Sequence, residues 1–187
     1  MNSNYGKIRI IGGYLKNSLI SICSNNNIRP TTNYMRETLF NWLNQDIQNS
    51  KCLDCFTGSG ALGIESISRF AKSVTLIDIN KKSINQLKKN LIRLKILNYC
   101  NVIHDNFFHW LKQNKEKYQI IFIDPPFDQE LISKIIFFLE TYNCLESQSI
   151  IYIEKKNDFN LLNIPKNWHL YKQKNNKKVS YYLYIRR

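Results

Sequence analysis

One glycine-rich segment combines an acidic side chain with the spacing G-x-G-x-x-G: Asp54-Cys55-Phe56-Thr57-Gly58-Ser59-Gly60-Ala61-Leu62-Gly63. Between a strand and a helix, glycines at this spacing let the backbone turn tightly and let a ligand approach it closely. Asp78 lies fifteen residues past Gly63, at the end of the next apolar run. There its carboxylate can accept hydrogen bonds from both hydroxyls of a ribose. The pattern predicts a nucleoside-containing ligand, and a tight turn that binds nothing is the alternative.

The acidic residue at the start of this segment separates two cofactors. A dinucleotide places its pyrophosphate at the helix N-terminus, and the Asp54 carboxylate would repel it. S-adenosylmethionine (SAM) has no phosphate and carries an ammonium and a sulfonium, which the carboxylate favours. After the following predicted strand, Asp105, Asn106 and Phe107 are placed to bond and stack an adenine, with an ordinary helix cap as the alternative. The predicted cofactor residues are Asp54, Phe56, Gly58, Gly60, Asp78, Asn106 and Phe107.

A second motif, Asp124-Pro125-Pro126-Phe127, ends a later apolar run. The prolines remove two backbone donors and stiffen the turn, so that the Asp124 carboxylate and the Pro125 carbonyl face outward as acceptors. The exocyclic amine of a nucleobase is a poor nucleophile because its lone pair is delocalised into the ring. Two acceptors would orient that amine towards a methyl donor, and Phe127 would stack on the base. The motif predicts these four residues as a catalytic site for amine methylation.

The composition indicates a packed globular protein with a polyanionic partner. The 187 residues include 27 Lys and Arg against 14 Asp and Glu, a formal net charge of +13, and 43% are hydrophobic. Such an excess favours nucleic acid, because cations displace counterions from phosphates, although codon bias towards Lys is an alternative source. No apolar run approaches the roughly 18 residues of a membrane span. We expect a cytoplasmic monomer. We also expect no metal site, because Cys52 and Cys55 have no second cysteine pair or nearby His to complete a zinc site.

The elements that must position these motifs divide the chain in two. Residues 1–50 predict a β-hairpin around Gly12-Gly13 and a helix from Asn33 to Asn44. Residues 51–187 alternate strand and helix, which predicts a doubly wound, mainly parallel sheet with helices on both faces. The tail predicts an antiparallel hairpin. The predicted sheet strands are Lys51–Phe56, Ser73–Ile79, Cys100–His104, Tyr118–Asp124 and Ser149–Glu154, followed by the hairpin strands Trp168–Lys174 and Val179–Ile185.

The glycine loop, Asp78 and the D-P-P-F motif, in this order, resemble class I SAM-dependent methyltransferases of Rossmann-like α/β fold that act on an amino nitrogen. Two further blocks narrow the resemblance to the small bacterial RsmD family. They are Arg9-Ile10-Ile11-Gly12-Gly13 and Arg29-Pro30-Thr31-Thr32 with Arg36-Glu37-Thr38-Leu39-Phe40-Asn41-Trp42-Leu43. The similarity runs from about Lys7 to the C-terminal hairpin.

The resemblance implies a function for both parts of the chain. It implies methylation of the N2 amine of one guanine in 16S rRNA, with a largely assembled small ribosomal subunit as the substrate. Residues 51–187 would be the SAM-dependent methyltransferase domain, and residues 1–50 would be an extension that contacts RNA. Arg9, Arg29 and Arg36 are the expected RNA contacts, because Arg pairs bidentately with phosphates and guanine edges. A solvated surface or a salt bridge with Glu37 is the alternative for Arg29 and Arg36.

Three other functions stay open at this point. An adenine-N6 DNA methyltransferase would use the same D-P-P-F motif, but no separate DNA-recognition domain is visible. A catalytically silent RNA-binding assembly factor would need neither Asp124 nor the glycines. An NAD-dependent oxidoreductase lacks a substrate domain and a catalytic His, Tyr and Lys set.

Overall fold

The computed structural model of the chain describes residues 6–22, 33–125, 129–157, 164–176 and 179–187. Its strands are β1 (Gly6–Arg9), β2 (Leu19–Ile22), β3 (Lys51–Asp54), β4 (Ser73–Asp78), β5 (Cys100–His104), β6 (Tyr118–Ile123), β7 (Leu145–Lys156), β8 (Trp168–Asn175) and β9 (Val179–Arg186). Its α-helices are α1 (Asn33–Trp42), α2 (Ala61–Ser68), α3 (Lys81–Arg93), α4 (Phe107–Gln113) and α5 (Gln129–Thr141).

Seven strands form one sheet in the order β5-β4-β3-β6-β7-β9-β8. Strands β3 to β7 are parallel, whereas β9 pairs antiparallel with both β7 and β8. The apolar run Ile120–Ile123 in β6 is buried throughout, as expected for a central strand covered on both faces. The doubly wound sheet and the C-terminal antiparallel hairpin are therefore confirmed.

The sheet separates two apolar clusters, because successive side chains of a strand point to opposite faces. One cluster contains Cys52 and Phe122 together with side chains of α1, α2 and α3, and the other contains Leu53 and Ile123 together with side chains of α4 and α5. Cys52 and Cys55 are both buried but belong to different clusters. The sheet thus lies between two sets of helices, and the C-x-x-C spacing brings no thiol pair to the surface.

The N-terminal elements pack into the first of these clusters. Strands β1 and β2 form a two-stranded antiparallel ribbon in which Arg9 pairs with Leu19. Ile8 and Ile20 of this ribbon, and Leu39 and Phe40 of α1, belong to the same cluster as the α2 and α3 side chains. The hairpin and helix predicted for residues 1–50 therefore share one core with the large sheet.

Several element boundaries differ from the sequence prediction by one or two residues, and the start of β7 differs by four. Strand β7 begins at Leu145 rather than Ser149, and its pairing with β6 shifts register between Tyr118 and Ile120. The polar residues before Ser149 occupy this irregular stretch, where Gln148 has a φ of 63°. Strand β3 ends at Asp54, because the chain turns there into the glycine loop. No helix in the described parts of the chain is long and apolar enough to cross a bilayer.

Candidate cofactor and methyl-transfer site

Three carboxylates lie at the carboxyl ends of three neighbouring strands. Asp54 ends β3, Asp78 ends β4 on one side, and Asp124 directly follows β6 on the other. The parallel register aligns Asp54 with Leu76 and Phe122, so Asp78 and Asp124 each lie two residues further towards the same edge. Ligands of open α/β sheets bind outside this edge. The sheet therefore brings together the acidic residues that the sequence predicted for cofactor and amine.

Asp54 is the buried member of this set, with 2% of its surface exposed. Its Oδ2 accepts a hydrogen bond of 2.9 Å from the hydroxyl of Thr57. Burial, followed by the charges of Asp124 and Asp78, raises the pKa of the Asp54 carboxyl to about 7 despite the lowering effect of the hydrogen bond from Thr57. A buried carboxylate beside two others has a strong electrostatic preference for a cationic ligand.

Asp78 fixes the glycine loop from the neighbouring strand. Its Oδ2 accepts a hydrogen bond of 2.8 Å from the backbone N–H of Gly58, and its Oδ1 accepts one of 2.7 Å from the backbone N–H of Asn80. The Asn80 side chain in turn caps α3 by accepting from the N–H groups of Lys82 and Ser83. The Asp78 carboxylate is therefore held in one orientation, with further lone pairs for ligand hydroxyls.

The glycines of the loop have different roles. Gly58 has a φ of +51°, and a Cβ added there would meet no atom within 4 Å. At Gly60, with a φ of +80°, a Cβ would lie 2.3 Å from Cδ1 of Leu87. At Gly63 it would lie 2.2 Å from Cδ2 of Leu76. Gly58 therefore borders open space that a ligand can enter, whereas Gly60 and Gly63 let α2 pack closely on α3 and β4.

The exposure of the aromatic side chains near this edge differs from the prediction. Phe107 is 3% exposed and packs against Phe56, Phe108 and Trp110 at centroid distances of 5.5, 5.4 and 6.3 Å. The expected adenine stacking on Phe107 is therefore corrected: neighbouring rings cover this side chain. Phe56 remains half-buried and is the ring of this group that borders the glycine loop.

Asn106 occupies the position of the helix cap that the sequence left open. Its Oδ1 accepts from the backbone N–H groups of Phe108 at 2.9 Å and His109 at 3.3 Å. This amide oxygen therefore fixes the start of α4 beside the third strand end. The next strand end carries Asp124, which is half-buried, and Pro125, which is buried. Pro126 and Phe127 lie outside the described residues.

Comparisons with known proteins identify the family of this chain. A family model described as Conserved hypothetical protein 95 matches residues 8–185. The ribosomal RNA small subunit methyltransferase D of Buchnera aphidicola subsp. Baizongia pistaciae is 51% identical to this chain, over 98% of this chain and 94% of the relative. The enzyme of the same name from Escherichia coli K12 is 41% identical over 99% and 93% of the two chains. The chain belongs to this family of methyltransferases.

A solved structure supports the fold over nearly the whole length. The yhhF protein of Escherichia coli superposes on this methyltransferase with a TM-score of 0.89 at 39% identity, covering 97% of this chain and 98% of its own. A Haemophilus influenzae protein described as a methylase gives a TM-score of 0.83 at 38% identity. The class I methyltransferase fold predicted from the motifs is thus confirmed.

The structure describes two of the three arginines predicted to contact RNA, and these two differ in exposure. Arg9 is exposed at the end of β1, and Arg29 lies outside the described residues. Arg36 is fully buried, so the predicted contact of its guanidinium with RNA is corrected. Its Nη2 donates to the Arg9 carbonyl at 2.9 Å and to Oδ1 of Asn33 at 2.7 Å.

Arg36 pairs with Glu65, a residue that the sequence motifs do not indicate as functional. Glu65 in α2 is fully buried, and its Oε2 lies 3.7 Å from Nη1 of Arg36. The same carboxylate accepts from the backbone N–H groups of Ile11 and Gly12, both at 2.8 Å, and pairs with Arg69 at 2.9 Å. It therefore joins the N-terminal ribbon and α1 to the helix that follows the glycine loop. The signal in the sequence is that Glu65 is the one charged residue of α2.

Proposed function

We propose that this methyltransferase transfers the methyl group of SAM to the exocyclic N2 amine of a guanine in the 16S rRNA of the small ribosomal subunit. The alignment of Asp54, Asp78 and Asp124 on adjacent strand ends carries this proposal. The carboxylates of Asp54 and Asp78 suit a cationic nucleoside that donates the methyl group. The carboxylate of Asp124 suits the amine that accepts it. Because all three lie at one edge of the sheet, donor and acceptor would face each other there.

The residues around Gly58 fit SAM. Asp54 would hold its cationic end, Asp78 its ribose hydroxyls, and Phe56 would border its apolar part. The open space beside Gly58 leaves room for the ligand next to the backbone. When bound, SAM supplies a methyl group on a positively charged sulfur. The burial of Asp54 strengthens its interaction with positive charge, because little water screens it.

At the amine, the chain would contribute orientation. The Asp124 carboxylate and the Pro125 carbonyl would each accept one N–H of the exocyclic amine. Both N–H bonds would then be fixed, and the nitrogen lone pair would point at the donor. Such positioning with electrostatic support is the main source of rate for a weakly nucleophilic amine.

A second acidic side chain beside Asp124 favours guanine over adenine. Ile123 at the end of β6 pairs with Ile153 of β7, so Asp124, the residue after β6, would lie beside Glu154. Glu154 is buried, and its Oε2 accepts a hydrogen bond of 3.2 Å from the Tyr152 hydroxyl. Guanine presents the N–H of N1 next to its amine, whereas adenine presents a bare acceptor at that position. Neighbouring acidic acceptors therefore match the guanine edge.

The named relatives support the substrate. The Buchnera aphidicola and Escherichia coli enzymes are named for the ribosomal RNA of the small subunit, and the formal charge of +13 suits a polyanion. The proposal includes a cytoplasmic monomer that acts on a largely assembled subunit.

Methyl transfer to defined substrates tests this function. Labelled SAM is incubated with small subunits that lack the modification, and the RNA is digested to nucleosides. The expected label is in N2-methylguanosine. Label in N6-methyladenine on a DNA control would contradict the guanine proposal, and no label on subunits, naked rRNA or DNA would contradict methyl transfer altogether.

A further inference from the structure

We propose that Tyr34 and Lys174 form a binding site for the single-stranded RNA that flanks the target base, and this inference rests on the proposed function. Tyr34, in the first turn of α1, is 58% exposed. The Nζ of Lys174 lies 4.3 Å from the centre of the Tyr34 ring and donates a hydrogen bond to the Tyr34 hydroxyl. The pair places a positive charge and an aromatic ring side by side on the surface.

The strand register places this pair in line with the reacting group. Across the sheet, Glu154 of β7 pairs with Tyr181 of β9, and Tyr181 pairs with Lys174 of β8. Asp124 lies next to Glu154 on the other side. Adjacent strands are about 4.8 Å apart, so three strand spacings place Lys174 about 14 Å from Asp124. One transverse row of residues therefore leads from the amine site to the pair.

The side chains of this row also point to the same face of the sheet. Phe122, Tyr152 and Tyr181 all belong to the apolar cluster that contains α1. Side chains alternate along a strand, so Asp124 and Glu154 share the face of Phe122 and Tyr152. Helix α1 packs on the same face, where Trp42 lies 5.8 Å from the Tyr181 ring.

The chemistry of the pair matches single-stranded RNA. A base stacks on an exposed tyrosine ring with little dependence on sequence, and a neighbouring lysine attracts phosphate. The one acidic side chain within a helical turn of Tyr34 in α1 is the exposed Glu37. Lys174, which contacts Tyr34, supplies a positive charge on the same surface.

The chain offers a matched control with the same chemistry elsewhere. Tyr171 is 51% exposed, and the Nζ of Lys172 lies 4.8 Å from its ring centre. Tyr171 lies at the register shift of β8, outside the row that leads to Asp124. The two pairs therefore share exposure and composition but differ in their relation to the reacting edge.

The test compares Tyr34→Ala and Lys174→Gln with Tyr171→Ala and Lys172→Gln. Affinity for unmodified small subunits and steady-state methyl transfer are measured at several salt concentrations. Loss of base stacking in Tyr34→Ala should weaken binding by about 5- to 150-fold and raise KM while kcat stays unchanged. Lys174→Gln should reduce the salt slope by about one. The two control variants should stay within about twofold of the wild type.

Three results would overturn the inference. Equal effects of the Tyr34 and Tyr171 substitutions would show that position in the row is irrelevant. Weaker binding by Tyr34→Ala with an unchanged salt slope in Lys174→Gln would indicate a contact with a ribosomal protein instead. A fall in kcat at constant KM would place Tyr34 in the chemistry rather than in flanking contacts. Failure of the wild type to methylate subunits would instead refute the proposed function.

Discussion

The raised pKa of Asp54 predicts that SAM affinity depends on pH. Only the carboxylate form attracts the cationic end of SAM, and burial raises the pKa of this group to about 7. A group with that pKa is ionised to roughly 10% at pH 6 and roughly 90% at pH 8. Affinity should therefore rise about tenfold between these values. At pH 6, where roughly 90% of the groups carry a proton, binding should also release close to one proton.

Titration calorimetry in two buffers of different ionisation enthalpy measures both quantities. Two variants assign the effect to this side chain. Asp54→Asn keeps the shape but removes the charge, so it should bind SAM weakly and without this pH dependence. Thr57→Val removes the hydroxyl that lowers the pKa of Asp54. The rise in SAM affinity should therefore occur at a higher pH in this variant than in the wild type.

In the ligand-free protein, the contribution of Asp54 to the free energy of unfolding falls as pH rises, whereas SAM affinity rises. The folded pKa of Asp54 lies above the ordinary value of 3.8, so the folded state binds more protons between those two values. The contribution of this group to the free energy of unfolding is full below about pH 4 and falls as pH rises to 7. SAM affinity that is flat from pH 6 to 8, or wild-type affinity in Asp54→Asn, would show that the Asp54 carboxylate does not bind the cationic end of SAM.

The remaining predictions concern the loop, the buried ion pair and the ribose contact. Gly58→Ala should cost about 1–2 kcal/mol for its left-handed backbone, whereas Gly60→Ala should cost about 2–5 kcal/mol, because its Cβ also meets Leu87; thermal unfolding that ranks them the other way would contradict the assigned roles. Glu65→Gln should lose about 3–5 kcal/mol, because Arg36 stays buried without a full countercharge. The half-exposed pair of Glu140 and Arg186 gives the control: Glu140→Gln should lose only about 1 kcal/mol in urea unfolding, and equal losses would argue against the role of burial. Asp78→Ala should weaken SAM binding in the same calorimetric assay without changing the affinity for RNA, and wild-type SAM affinity would argue against the ribose contact.

The site could be predicted from sequence wherever it depends on strand ends. Apolar runs such as Ile120–Ile123 identify central strands, and the carboxyl ends of parallel strands meet at one edge. The convergence of Asp54, Asp78 and Asp124 follows from these two rules alone. The D-P-P turn is a local feature, so its acidic residue and its first proline could be placed without knowledge of the tertiary structure.

Burial set by distant partners could not be predicted in the same way. Arg36 follows a predicted helix start, and nothing local shows that Glu65, twenty-nine residues later, takes it into the core. Phe107 follows a strand end like a ligand contact, but Phe56, which follows β3, covers it together with Trp110 of its own helix. The extended start of β7 escaped detection because its residues are polar and its pairing is irregular. Each of these features depends on packing between elements far apart in sequence.

The most direct test of the central claim separates cofactor binding from chemistry at Asp124. Single-turnover methyl transfer to unmodified small subunits is measured for the wild type and Asp124→Asn, with the SAM dissociation constant determined for both. We predict that methyl transfer by Asp124→Asn is slower by about 10²- to 10³-fold. SAM affinity at pH 7 should be equal or slightly higher, because the charge of Asp124 raises the pKa of Asp54. Methyl transfer within a few fold of the wild type, or loss of SAM binding, would contradict the division of roles among the three carboxylates.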